Sequence, residues 1–425
     1  MSVVTAAPGR LLGTVAAPPS KSYTHRALVA AFLAEGPVRV ERPLDALDTR
    51  RTAEGLRRLG AQVTIAPAGW VVHRGRTHDA RRVRVSCGES GTTLRFLTAL
   101  AAAQSRTVEF DGAPGLARRP MGPLLDALES AGATVDRRAV RGHRLFSVSG
   151  PIRPSSLALD PSQSSQFLSA LLLVLPSLAG ASRIRLTAPE VSRPYVAATV
   201  ATLRAYGVRV HRRGPVVRVP GPQRYRGSRF RVPGDASSAA YLWAGAAVSG
   251  GDVRVQDVPA RWPQADRAIL PVLRRAGARV TREGTAVRVR ARRLSAFSVD
   301  LTGAPDLYPL LGAVAAVTPG TSRLLGAAQV VHKESDRRAG TVRLVRALGG
   351  TVRVHRTGLA IRGRRPARRL VLSDLTDHRM VMSAAVGALA ARSPSVLGDA
   401  VAVEKSFPEF WTTFGALRRD GEVSR

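Results

Sequence analysis

"PSKSYTHRALVAAFLAEG" (19–36) sets Ser20, Lys21 and Ser22 behind a proline, then runs as an alanine- and leucine-rich segment to Gly36. A polar start followed by an almost unbroken apolar stretch predicts a helix buried on all sides, because an exposed helix would carry a polar stripe. The design returns five times: "GESGTTLRFLTALAAA" (88–103), "SQSSQFLSALLLVLPSLAG" (162–180), "PGDASSAAYLWAGAAVSGG" (233–251), "GAPDLYPLLGAVAAVTPG" (303–320) and "LTDHRMVMSAAVGALAA" (375–391). With Lys21, Ser90, Ser164, Asp235, Asp306 and Asp377 as markers, the spacing is 69 to 74 residues.

A second series alternates with the first. "LRRLGAQV", "LESAGATV", "LRAYGVRV", "LRRAGARV", "VRALGGTV" and the truncated "LRRDGEV" each end an amphipathic segment at a glycine: Gly60, Gly132, Gly207, Gly277, Gly349 and Gly421. Glycine there fits a left-handed helix C-cap, and the β-branched residues beyond it predict strand. Each repeat therefore reads as a βαβαββ module, with the first helix at the centre of a group of modules and the second partly exposed outside. Six modules divide three and three at the arginine-, proline- and glycine-rich "RRGPVVRVPGPQRYRGSRFRVPG" (212–234), with "GRLLGTVAAPP" (9–19) as a second crossing. The expected domains are 15–228, and 229–425 together with 1–14, enclosing a cleft that can close. A single continuous array of six modules is the alternative.

The net charge of +35 raises nucleic-acid binding. However, the arginines are spread along the whole chain and aromatic residues make up only 5%, so stacking platforms are scarce and no specific nucleic acid is expected. Of the 65 basic residues only Lys21, Lys333 and Lys405 are lysine. Positions that keep lysine in such a chain call for a compact ammonium, or one able to lose its proton, which guanidinium does not offer. The longest apolar run, "FLSALLLVLPSLAGA" (167–181), is too short to span a bilayer and is broken by Pro176, so no membrane association is expected. The N-terminus lacks a signal-peptide layout. One cysteine, Cys87, rules out an internal disulfide framework, and a cytoplasmic protein is expected.

Reactive residue types gather at the starts of the apolar segments. Lys21, Ser22 and Arg26 lead the first; Ser164, Ser165 and Gln166 lead the third. Helix N-termini favour anions, and three consecutive polar residues exceed what one cap needs. "ARRPMGP" (117–123) offers Arg118 and Arg119. "HKESDRRAG" (332–340) packs Lys333, Glu334, Asp336, Arg337 and Arg338 together, "DHRM" (377–380) adds Asp377, His378 and Arg379, and "EKSFPEF" (404–410) holds Lys405. Arginine forks grip carboxylate and phosphate two bonds at a time, so these motifs predict a multiply anionic small molecule. The eight histidines lack metal-ligand spacing and no P-loop is present.

These motifs, in this order, resemble the 5-enolpyruvylshikimate-3-phosphate synthase family over the whole chain; "KESDR" and "SSQFLSALL" are the specific ones. The resemblance implies an α/β fold, a two-domain inside-out α/β barrel with three modules per domain. It also implies transfer of the enolpyruvyl group of phosphoenolpyruvate to the 5-hydroxyl of shikimate 3-phosphate, with no metal or organic cofactor, by a monomer. By the same resemblance Lys21, Asp306 and Glu334 are catalytic. Shikimate 3-phosphate is held by Lys21, Ser22, Arg26, Ser164, Ser165, Gln166, Ser192, Tyr195, Asp306, Gln329 and Lys333. Phosphoenolpyruvate is held by Lys21, Gly91, Arg119, Gln166, Arg337, Arg379 and Lys405.

Three positions depart from the family pattern: Glu89 stands where asparagine is common, and Gln329 and Val331 replace an asparagine- or histidine-like residue and an arginine before "KESDR". They leave room for a paralogue acting on a related alcohol. UDP-N-acetylglucosamine enolpyruvyl transferase would need a reactive cysteine, whereas Cys87 reads as a core residue. An RNA 3'-phosphate cyclase would need a covalent histidine, for which His378 is the candidate.

Overall fold

The computed structural model describes residues 3–75, 81–138, 144–291 and 293–419. In each of the six modules a leading helix is followed by a second one. Within Pro19–Pro233 these are α1 (Lys21–Leu33) and α2 (Leu47–Arg58), α3 (Gly91–Ala102) and α4 (Gly122–Ser130), and α5 (Ser165–Val174) and α6 (Arg193–Ala205). The other compact unit, Met1–Pro18 with Gly234–Arg425, contains α7 (Ala236–Ser249) and α8 (Ile269–Arg275), α9 (Tyr308–Ala316) and α10 (Arg337–Ala347), and α11 (His378–Ala388) and α12 (Phe410–Leu417). No helix of the described residues is long and apolar enough to cross a membrane.

The odd-numbered helices are buried almost throughout, as their unbroken apolar sequences require. Their only residues left uncovered are Lys21, Ser22, Leu33, Thr92, Gln166 and Ser237. All but Leu33 lie in the first turn, so each opening in the core coincides with a helix N-terminus. The second helices bury one face; in α2 it is Asp48, Thr49, Thr52, Ala53, Gly55 and Leu56, at three-to-four spacing. Gly55 is needed there, because a Cβ would lie 2.3 Å from Leu97 of α3. Gly60, Gly132, Gly207, Gly277 and Gly349 all adopt positive φ, between 76° and 103°, and so end their helices as left-handed caps. Gly421 lies outside the described residues.

In the second module strand Arg82–Ser86 runs parallel to Thr107–Asp111 across α3, and the hairpin strands Thr134–Asp136 and Arg144–Ser149 complete the sheet. The third repeats this plan with Ser156–Leu159, Ser182–Leu186, His211–Arg213 and Val216–Val219. The first is completed by a distant segment: Arg229–Arg231 pairs in parallel with Val38–Glu41. Correspondingly Arg10–Ala16 pairs in parallel with Asp252–Gln256 in the fourth module, and Val4–Ala6 pairs with Ser395–Leu397 in the sixth.

These pairings place the divide at Pro18–Pro19 and Pro233–Gly234, a little beyond the expected boundaries at 14/15 and 228/229. The physical reason is register. The first ladder runs on to Ala16↔Gln256, and Arg229–Arg231 is committed to the sheet of the first module.

Candidate active site

In the Pro19–Pro233 unit, polar side chains collect at the N-terminal ends of α1, α3 and α5. Lys21 opens α1 and its Nζ lies 2.9 Å from Asp48 Oδ2 at the start of α2, both side chains being mostly buried. One turn on, Arg26 is sunk in the apolar core. Its Nε donates to Thr199 Oγ1 at 2.8 Å, Nη1 to the Ser22 carbonyl at 2.8 Å and Nη2 to the Tyr195 carbonyl at 3.0 Å, with Ser169 Oγ at 3.5 Å. The guanidinium also sits over the Phe96 ring at 5.3 Å. Burial lowers its pKa to about 10, yet it stays charged. Arg26 therefore ties α1 to α5 and α6.

Ser164 caps α5, its Oγ accepting from the Gln166 amide at 3.2 Å, while Ser165 is buried behind it. Gln166 accepts from Arg95 Nη1 at 2.6 Å and donates to Thr92 Oγ1 at 2.9 Å, linking α5 to α3. Arg95 also donates to the Pro120 carbonyl at 2.8 Å and covers Phe167, which fixes the loop carrying Arg119. Arg119 rests against Gly91, where a Cβ would lie 2.7 Å from the guanidinium carbon. Ser192, before α6, is buried at φ +55°, a left-handed conformation that costs a non-glycine residue about 1 kcal/mol and marks functional turns. Glu89 is exposed, one residue before the α3 cap Ser90. Four cations on or against α1 and α3 (Lys21, Arg26, Arg95 and Arg119) thus accompany one buried carboxylate, Asp48.

The other unit gathers charges of both signs. Arg337, at the first position of α10 and 1% exposed, is the hub. Its Nε and Nη2 reach the two oxygens of Asp377 at 2.9 and 3.2 Å, Nη1 reaches Asp306 at 2.8 Å, and Nη2 reaches Glu334 at 2.7 Å. Asp306 also receives Lys333 at 3.3 Å and Arg379 at 3.0 Å. Burial would raise the Asp306 pKa, but Arg379, Lys333 and Arg337 outweigh it, against Glu334, and hold it well below the usual carboxylate range. Lys405 Nζ lies 3.9 Å from Glu334 Oε1. Asp377 caps α11, accepting from the Arg379 amide at 2.9 Å and from Ser335 Oγ at 2.9 Å. Burial pushes its pKa up, but Arg337 above all brings it down to about 2. Gln329 is buried with its amide donating to the Thr302 carbonyl at 3.3 Å.

The sequence-predicted residues therefore fall into two constellations, one per unit. Sequence reasoning missed Asp48, Arg95 and Asp266, the last a fully buried carboxylate 3.6 Å from Arg379. A usable signal existed for Arg95, since a charge inside an apolar helix must be satisfied by something. Two residues of interest to other chemistries are closed off. Cys87 is buried, and burial followed by Asp111 pushes its thiol up, as befits a core residue. His378 is also buried, with Nδ1 3.5 Å from Asp377 Oδ1, which closes it to a covalent nucleotide.

Known proteins resemble the chain over nearly its whole length. A sequence profile of EPSP synthase (3-phosphoshikimate 1-carboxyvinyltransferase) matches residues 5–414. The 3-phosphoshikimate 1-carboxyvinyltransferase of Thermococcus kodakarensis is 40% identical over 412 residues, covering 96% of this chain and 97% of that one. That of Methanocorpusculum labreanum is 36% identical over 403 residues, covering 94% and 95%. Among solved structures, EPSP synthase from Acinetobacter baumannii superposes with a TM-score of 0.82 at 25% identity over 98% of both chains. The enolpyruvyl transferase NikO from Streptomyces tendae shares the fold, with a TM-score of 0.76 at 18% identity over 98% of this chain and 97% of that one. A match over nearly the whole length, with relatives 36–40% identical, places the chain in the EPSP synthase family.

Proposed function

We propose that this chain transfers the enolpyruvyl group of phosphoenolpyruvate to the 5-hydroxyl of shikimate 3-phosphate, releasing phosphate, in the shikimate pathway. The hydroxyl oxygen adds to C2 of phosphoenolpyruvate while a proton is delivered to C3, giving a tetrahedral ketal. Loss of a proton from C3 then expels phosphate and restores the double bond as an enol ether.

The two constellations suit complementary parts of this reaction. The cation surplus around α1 and α3 fits the phosphate and carboxylate groups of the substrates, with Lys21, Ser22, Arg26, Ser164, Ser165, Gln166, Ser192, Tyr195, Gly91 and Arg119 as the contacts. The balanced cluster around Arg337 fits acid–base work. Asp306, ionised by three cations, accepts a hydrogen bond from the 5-hydroxyl and takes its proton only as the attacking oxygen becomes acidic in the transition state. Glu334 delivers the proton to C3. Arg337 and Lys405 favour its charged form in the empty protein, and bound anions that neutralise those cations raise its proton affinity. Lys333 and Gln329 hold shikimate 3-phosphate, and Arg379 and Lys405 hold phosphoenolpyruvate. The reading includes a monomer in the cytoplasm, where the one cysteine suits a reducing compartment.

The observation that carries the reading is the use of lysine. In a chain that otherwise employs arginine, all three lysines sit beside carboxylates of these constellations: Lys21 by Asp48, Lys333 by Asp306 and Lys405 by Glu334. Phosphate release in the presence of both substrates is the test. Lys21→Ala and Glu334→Gln each lower turnover by about 10²–10⁴-fold, the usual worth of a positioned acid–base group. Wild-type turnover in either variant removes that residue's role.

A further inference from the structure

Asp266 lies in the short turn Ala265–Ala268 before α8, with its side chain fully buried. The turn is pinned in place by Gln264, whose side chain accepts from the Ala236 amide at 2.8 Å and donates to the Gly234 carbonyl at 2.8 Å, at the start of α7. Arg267 on the same turn points away, to the carbonyls of residues 258–260. Neither Asp266 oxygen meets a hydrogen-bond donor at ordinary geometry among the described residues, although the Ser237 side chain lies near enough to favour its charged form, and the cation paired with it, Arg379 Nη1, stands 3.6 Å off. The other end of that guanidinium, Nη2, holds Asp306 at 3.0 Å. Arg379 is thus suspended between a carboxylate in the catalytic cluster and one behind it.

We propose that Asp266 is a positioning residue for Arg379: a buried counter-charge that holds the guanidinium while the site is empty and is discharged by protonation when a substrate anion replaces it. The proposal rests on the reading of Arg379 as a phosphoenolpyruvate ligand. An unsatisfied buried carboxylate is costly unless a cation compensates it, so it follows the fate of that cation. The groups around Asp266 act on its charge in both directions. Burial raises its pKa to about 6, Arg379 of α11 pulls it down, Asp306 and the α7 cap Asp235 push it up, and Ser237 of α7 pulls it down. Tyr241 of α7, whose buried hydroxyl has no hydrogen-bond partner, faces the same cluster and stays neutral, its pKa pushed up to about 12. When a substrate phosphate or carboxylate engages Arg379, the largest influence favouring ionised Asp266 is spent and a further negative charge arrives, so its proton affinity rises.

The test is the pH dependence of phosphoenolpyruvate affinity, measured with shikimate 3-phosphate present, for the wild type and Asp266→Asn between about pH 5.5 and 7.5. Proton uptake on binding weakens the wild type as pH rises above about 6, by up to about tenfold per pH unit. The Asp266→Asn variant behaves as the permanently discharged form, so the ratio of variant to wild-type dissociation constants falls across this range. A variant impaired only in packing gives a constant ratio, and that result overturns the role of Asp266. Calorimetry of the wild type in buffers of different ionisation enthalpy needs no variant: proton uptake near pH 6 beyond the substrate's own supports the proposal, and none contradicts it. Absence of phosphoenolpyruvate binding to the wild type at every pH overturns the ligand reading of Arg379, and the role of Asp266 with it.

Discussion

Gly91→Ala separates function from folding at one atom. The added methyl would stand 2.7 Å from the carbon and Nη1 of the Arg119 guanidinium and 3.1 Å from Nη2. Ordinary carbon contacts begin near 3.5 Å, so Arg119 must retreat by roughly 0.8 Å. The obstacle is the far end of a flexible side chain, and alanine is a better helix former than glycine by about 1 kcal/mol, so stability should hardly change. A binding geometry displaced by about 1 Å can cost on the order of 10²-fold, so the KM for phosphoenolpyruvate should rise about 10- to 100-fold, or roughly 1.4–2.7 kcal/mol. The KM for shikimate 3-phosphate and kcat should be little affected. Steady-state kinetics with each substrate varied in turn, alongside a thermal melt, reads all of this. Gly122→Ala, the same change at the start of α4 where a Cβ meets nothing within 4 Å, is the control. An unchanged KM for phosphoenolpyruvate in Gly91→Ala would refute the assignment of Arg119.

Arg337→Met removes the partner of Asp377, Glu334 and one side of Asp306, and stranding buried carboxylates costs about 3–5 kcal/mol. Thermal unfolding should fall by roughly 10 °C, and a shift within about 2 °C would contradict the hub role. His25 is buried on α1 with Nδ1 2.7 Å from Thr52 Oγ1, and burial lowers its pKa to about 3 from 6.5. The unfolded chain therefore binds the extra proton between about pH 3 and 6.5, so stability contributed by the neutral ring is complete above pH 6.5 and is lost as pH falls towards 3. Urea midpoints should decline over that window, less steeply in His25→Gln; parallel profiles would exclude His25 as the cause. Val331→Arg restores a cation near Gln329 and Lys333 and should lower the KM for shikimate 3-phosphate about fivefold, as one charge-assisted contact worth about 1 kcal/mol would. An unchanged KM would show that this departure is neutral.

The modular plan was legible because its signals are local. An all-apolar helix with a polar first turn, then a stripe ended by a glycine at positive φ, are features of a few consecutive residues. The strand exchange was harder to read, because nothing within Arg229–Arg231 announces that it completes a sheet begun at Val38. The site divided along the same line. Residues in dense motifs, such as Lys333, Glu334, Arg337 and Arg379, stood out as charges without an apolar rhythm. Asp48 and Asp266 did not, since each looks like an ordinary acid at the start of a surface helix or turn, and its meaning lies in a cation 27 or 113 positions away.

The most direct measurement is mass analysis of shikimate 3-phosphate after incubation with the purified protein and phosphoenolpyruvate. Conversion to its enolpyruvyl ether, with one phosphate released per ether formed and none when either substrate is omitted, is the predicted result. An acceptor recovered unchanged, or phosphate released without it, would contradict the account.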